Sequence, residues 1–148
     1  MSCSSWNSRG LGNQAAVREL RSIAKQEAPC LLFVMETKIP AKRVEDLYVQ
    51  LGFAGCFAVD SVGLSGGIGL FWSADTEVEI KNYSSCHIDC VVKRRGQTWR
   101  FTGFYGAPRA EDRHQSWRFL RTLFTIEHSA WLCMGDFNET LFASEHFS

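Results

Sequence analysis

At 148 residues, 45% hydrophobic and 13% aromatic, the chain can bury one sizeable core, which excludes a disordered or fibrous protein and points to a single domain over 1–148. Sixteen basic and sixteen acidic residues give a net charge of +0, so no global field draws the chain to a polyanion, and any such contact must be local. No run approaches the ~20 apolar residues of a membrane span, and the opening MSCSSWNSRG lacks the apolar core of a secretory signal, so a soluble, intracellular protein with no membrane partner is expected.

The first candidate strand exit is Asn7 after Trp6. Residues 14–28 then place Ala16, Val17, Leu20, Ile23 and Ala24 on one stripe, with Asn13 as a possible N-cap and Pro29 as the stop, which predicts an amphipathic helix. CLLFVMETK, residues 30–38, is almost wholly apolar and predicts a strand covered on both faces and ending at Glu36. Pro40 opens a second predicted helix through Leu51, with Val44, Leu47, Tyr48 and Leu51 inward and Gly52 as its stop.

From Phe57 to Tyr105 the pattern turns extended: GGIGLFW, VEIKNY, HIDCVVKR and TWRFTGFYG are separated by turn-forming or charged breaks, which predicts an antiparallel meander. Residues 111–128 return to a helical stripe, and AWLCMGD is the last predicted strand. Its end raises a choice. Gly135-Asp136 is an ordinary turn dipeptide; alternatively, Asp136 and Asn138 lie two apart on an extended backbone and share a face. Six cysteines are scattered through apolar surroundings without zinc-ligand spacing and read as reduced core thiols. His87 alternates with Ile88 on a strand and reads as a structural or surface residue. Strands covered by helices imply a layered α/β fold with its chemistry at strand ends; here those ends carry Asn7, Glu36, Tyr105, and Asp136 with Asn138.

WNSRGLGN (6–13), LLFVMETK (31–38), SGGIGLFW (65–72), RFTGFYGAP (100–108) and WLCMGDFNE (131–139) resemble, in order and spacing, the endonuclease/exonuclease/phosphatase superfamily. The likeness is nearest to the apurinic-endonuclease-like domain of plant LINE-type non-LTR retrotransposons. Five ordered motifs are specific where one would be weak. The resemblance implies a four-layered, DNase I-like α/β sandwich and Mg²⁺-dependent hydrolysis of phosphodiesters, with DNA as partner and the nucleus as location. It also assigns roles. Glu36 would be the metal ligand, a hard oxygen donor of the kind Mg²⁺ prefers. Asp136 would orient or deprotonate the attacking water, Asn138 would donate to a phosphate oxygen, Tyr105 would set its hydroxyl on the phosphate, and Asn7 would hold the acidic groups in register. Arg9, Lys38 and Arg109 follow three of the motif exits and are expected to contact phosphate.

The sequence departs from that pattern in two ways. Arg9 stands where repair-type relatives often carry a metal-assisting acid, and the family's later motifs, including a Ser-Asp-His whose histidine completes the catalytic centre, are missing from this chain. His87, His114, His128 and His146 do not stand in that context. The sequence therefore reads as the N-terminal portion of the sandwich, with an exposed sheet face or edges and weak activity expected of it. Two other readings stay open: a phosphatase of the same superfamily, and a non-catalytic remnant that binds nucleic acid or protein.

Overall fold

The computed structural model describes residues 2–61, 66–106 and 130–136. Its elements, in chain order, are β1 (Cys3–Asn7), α1 (Gln14–Glu27), β2 (Leu31–Met35), α2 (Ala41–Glu45), β3 (Gly55–Val59), β4 (Ile68–Trp72), β5 (Glu77–Tyr83), β6 (His87–Arg94), β7 (Gln97–Tyr105) and β8 (Trp131–Asp136). They form two four-stranded sheets, ordered β1-β2-β4-β3 and β5-β6-β7-β8. Each is mixed: β1 runs parallel to β2 and β7 parallel to β8, while the other neighbours are antiparallel.

The period-2 alternation of the strands builds two cores. Between the sheets lie Leu31, Phe33 and Met35 of β2 with Ile68 and Leu70 of β4, facing Ile88, Cys90 and Val92 of β6 and Phe101 of β7. The alternate residues Leu32, Val34 and Phe71 face outward, where they meet Leu20 and Ala24 of α1 and Val44 of α2. The helices thus cover one outer face, and the whole is an α/β sandwich. β2 is buried along its entire length, which is why its sequence shows no polar alternation.

α1 forms as its stripe predicts. The Asn13 side-chain oxygen accepts the Ala16 N–H at 2.8 Å, and Ala28 closes the helix in the left-handed conformation ahead of Pro29. α2 is shorter than predicted. Beyond Glu45 the chain runs in tighter turns, with Leu47 N–H donating to Val44 and Tyr48 N–H to Glu45. Its apolar side still faces inward, since Val44 and Leu51 are buried.

The predicted single meander is also corrected. Only β5, β6 and β7 form one; β4 crosses to the other sheet and lies between β2 and β3. The reason is burial: β4 is covered on both faces and suits an interior position, whereas β5 alternates exposed and half-buried residues along an edge. The predicted helix over 111–128 lies outside the described residues. All six cysteines are free. Burial, helped by neighbouring Cys30, pushes the Cys3 thiol up to about 12, and burial likewise lifts Cys133 to about 12, which keeps both protonated and unreactive.

The two sheets approach closely at Gly103, where a Cβ would sit 2.3 Å from the Phe33 ring. Gly103→Ala should therefore lower stability by about 1–3 kcal/mol through overpacking. Urea unfolding measures this, and an unchanged midpoint would show that the sheets part freely.

Candidate active site

The register of the strands decides which of their ends meet. Within the first sheet Cys3 is opposite Leu31 and Asn7 is opposite Met35; within the second, Phe101 is opposite Leu132 and Tyr105 is opposite Asp136. Between the sheets, Cys3 packs against the core that contains Cys90, and Cys90 pairs with Phe101. Phe33 is level with Gly103. One step of two residues along each strand therefore brings Asn7 and Met35 to the level of Tyr105 and Asp136. β8 also packs near β1 and β2. The exits of β1, β2, β7 and β8 thus lie at one end of the sandwich.

Sequence reasoning missed what fixes the Glu36 exit. The Ser8 hydroxyl donates to the carbonyl oxygens of Met35 at 3.0 Å and Glu36 at 2.9 Å. Gly10 N–H donates to Glu36 and Leu11 N–H to Thr37, both at 2.8 Å. From the other side Thr37 and Lys38 donate to Gly67 and Gly66. Glu36 sits between these loops with φ 52, and Arg9 and Lys38 are also left-handed, at φ 54 and 57. Non-glycine residues hold such a conformation only where their surroundings over-determine it. The signal in the sequence was slight: a serine after Asn7 and the Gly66-Gly67 pair before β4.

The Asn7 amide oxygen accepts the Arg9 N–H at 3.0 Å, so Asn7 braces its own loop. Glu36 is half-buried, and among the described residues its carboxylate has no hydrogen-bond or ion-pair partner. Tyr105 is half-buried and packs against the inter-sheet core. Arg9 and Lys38 are exposed on adjoining loops. The turn reading of Gly135-Asp136 does not hold, because β8 runs through both residues. Gly135 is required there: at φ 143 its backbone approaches Phe104 so closely that a Cβ would overlap the Phe104 carbonyl. Asn138 and Arg109 lie outside the described residues, as do His114, His128 and His146.

His87 is structural and buried. It belongs to a polar network on the outer face of the second sheet that sequence reasoning did not find. Arg100 grips both oxygens of Asp89, Nε to Oδ1 at 2.8 Å and Nη2 to Oδ2 at 2.9 Å. Thr102 donates to Asp89 Oδ1 at 2.9 Å, Asn82 donates to Oδ2 at 2.8 Å, and the Trp131 indole N–H donates to Thr102 at 2.8 Å. The Arg100 guanidinium also lies 4.7 Å from the centre of the Trp131 ring. Neutral His87 completes the chain between Ser84 and Asn82. Burial pushes the Asp89 carboxyl up, yet the hydrogen bonds from Arg100, Asn82 and Thr102 hold it below the ordinary carboxylate range. The available signal was a pair of charged residues, Asp89 and Arg100, inside otherwise apolar strands.

Burial first, and Arg100 besides, lower His87 to about 4 against the pull of Asp89. Above the unfolded value of about 6.5 both states carry a neutral ring and the group contributes nothing to pH dependence. Below it only the unfolded chain takes up the proton, so stability falls as pH drops from about 6.5 to about 4, by roughly 2–4 kcal/mol. Urea midpoints measured across that window should show the loss, and His87→Gln should flatten it. An equal slope in the variant would place the titration elsewhere.

The fold and its strand-end exits define a class: two mixed sheets packed face to face, with polar exits gathered at one end, as in DNase I-like hydrolases. The sequence profile of the endonuclease/exonuclease/phosphatase family matches residues 4–148, and the chain belongs to that family. Among curated proteins none matches. Solved structures do. The fold is similar to an AP endonuclease from Archaeoglobus fulgidus, at 16% identity and TM-score 0.65, covering 93% of this chain and 58% of that one. It is similar to a humanized D. rerio TDP2, at 17% identity and TM-score 0.68, covering 93% and 62%. It is also similar to the endonuclease domain of TRAS1, a telomere-specific non-LTR retrotransposon, at 15% identity and TM-score 0.64, covering 92% and 59%. The chain thus spans about three fifths of the length of these structures.

Proposed function

We propose that this chain is the N-terminal portion of a Mg²⁺-dependent phosphodiesterase that nicks DNA, the endonuclease of a LINE-type retroelement. The observation that carries the reading is the register, which puts the backbone positions of Asn7, Tyr105 and Asp136 at one end of the sandwich, with Glu36 one residue past Met35. Family membership and the likeness to an AP endonuclease and to a retrotransposon endonuclease domain support it; the wording of the WNSRGLGN and METK motifs supports the LINE assignment.

The residues fit a magnesium ion. Mg²⁺ takes one or two carboxylates and keeps several waters, and Glu36 offers a carboxylate that nothing among the described residues engages, on a backbone fixed from both sides. Glu36 would hold the ion, whose chemistry would be to neutralise charge on the phosphate. Asp136 takes the proton of the attacking water or orients it. Asn138 and Tyr105 donate to phosphate oxygens, and Asn7 keeps the exits in register by bracing its loop. Arg9, Lys38 and Arg109 hold the flanking phosphates as sequence-independent anchors.

The experiment is a substrate panel with Mg²⁺: supercoiled plasmid, a duplex with an abasic site, and a phosphomonoester. Turnover confined to the nucleic acids supports the nuclease. Turnover confined to the monoester would favour a phosphatase of the same family, and none at all a binding remnant, for which Arg9 in place of an acid is the specific motive.

A further inference from the structure

We infer that the groove between α1 and α2 is a second anchoring site for the phosphate backbone of duplex nucleic acid, continuous with the strand-end site. The groove encloses about 480 Å³. Its floor is apolar, built from Leu11, Ile39 and Leu47, and among the described residues its rim carries Arg18, Arg21 and Arg43 against one carboxylate, that of Asp46. All three arginines are exposed. Arg21 holds Gln50 at 2.6 Å; Arg18 and Arg43 have no ion-pair or hydrogen-bond partner among the described residues.

A chain with no net charge has acids enough to pair these groups, yet of the acids described on α1, α2 and their flanks only Asp46 lines the groove. Glu45 of α2 accepts the Ala58 N–H on the sheet side, and Glu19 does not line the groove. Unpaired positive charge gathered on one concave surface is the footprint of a local polyanion site.

The groove also begins where the proposed site ends. Arg9 and Lys38 lie on adjoining loops, the Lys38 Cδ being 3.7 Å from where a Gly10 Cβ would stand. Two residues after Arg9 comes Leu11, and the residue after Lys38 is Ile39, both in the groove floor. A backbone held by Arg9 and Lys38 is thereby led towards Arg43, Arg18 and Arg21. Among the described residues no aromatic side chain lines the groove. Single strands are held by stacking on aromatics, so the ligand that fits is duplex, gripped through its phosphates and carrying no sequence preference.

The inference rests on the reading of the chain as acting on DNA, and its test separates the two. The full 148-residue chain and its Arg18→Gln/Arg21→Gln/Arg43→Gln variant are compared by fluorescence anisotropy without Mg²⁺, over a salt series. Two labelled duplexes are used, one long enough to span both sites and one covering only the strand end. Circular dichroism checks that the exposed substitutions leave the fold intact. For the long duplex the slope of log affinity against log salt should fall by about 2–3 in the variant, as expected for three lost phosphate contacts; for the short duplex the two proteins should agree. An equal slope on the long duplex would overturn the groove and leave the strand-end site standing. Failure of the unsubstituted chain to bind either duplex would overturn both. Binding of poly-glutamate, lost in the variant, with no DNA binding would assign the groove to an acidic protein segment and overturn the inference.

Discussion

Replacing Arg100 by Ala should cost about 3–5 kcal/mol of stability, because it leaves the Asp89 carboxylate buried without its ion-pair partner. Arg100 and Asp89 are each 2% exposed, so water cannot take over. The guanidinium engages both carboxylate oxygens and covers Trp131, which makes the loss one of hydrogen bonds, packing and desolvation together. The network joins β5, β6, β7 and β8, and Trp131 opens the strand that ends at Asp136. Urea unfolding should therefore show a lower midpoint at an unchanged slope. The double replacement Asp89→Leu/Arg100→Met should recover much of the loss, since it removes both buried charges. A loss below about 1 kcal/mol for Arg100→Ala would mean that the pair contributes no more than a surface ion pair.

Asp136→Ala should lower single-turnover plasmid nicking by about 10²- to 10⁴-fold, the usual cost of losing a general acid or base. Asp136 stands beside Tyr105 in the register, at the end where β1 and β2 also emerge. The starting rate is itself expected to be low, because no histidine of this chain stands in the family's Ser-Asp-His context. Burst-free, enzyme-excess conditions keep so slow a reaction measurable. Circular dichroism should show Asp136→Ala folded, since the substitution falls at the final residue of β8. A rate within a factor of about three of the parent would remove Asp136 from the chemistry.

How much of this was legible in the sequence depended on whether local pattern or pairing decided the outcome. α1 was legible because its stripe, its Asn13 cap and Pro29 are all local signals. β2 was legible as a buried strand because both its faces are apolar. The split of the extended region into two sheets was not, since nothing local to IGLFW says whether it pairs with β2 or with β5; the choice follows from burial on both faces. The extent of α2 failed for a related reason: the apolar spacing through Leu51 is satisfied equally by a chain of tight turns. At the site, the residue types at the strand exits were legible, and the ordered motifs linked them to a family. The left-handed backbone at Arg9, Glu36 and Lys38, and the hydroxyl of Ser8 that ties two loops, arise from contacts about 28 residues apart and leave no periodic trace. The Asp89–Arg100 network was hidden for the same reason: its two members lie 11 residues apart and meet only once β6 and β7 pair.

The most direct test of the central claim, that these strand ends form a metal-dependent phosphodiesterase site anchored on Glu36, is nicking of supercoiled plasmid by the 148-residue chain with Mg²⁺ and with EDTA, beside Glu36→Gln. Slow conversion to open circles with Mg²⁺, abolished by EDTA and by Glu36→Gln, is the predicted result; nicking that survives EDTA, or that Glu36→Gln performs at the parent rate, would contradict it.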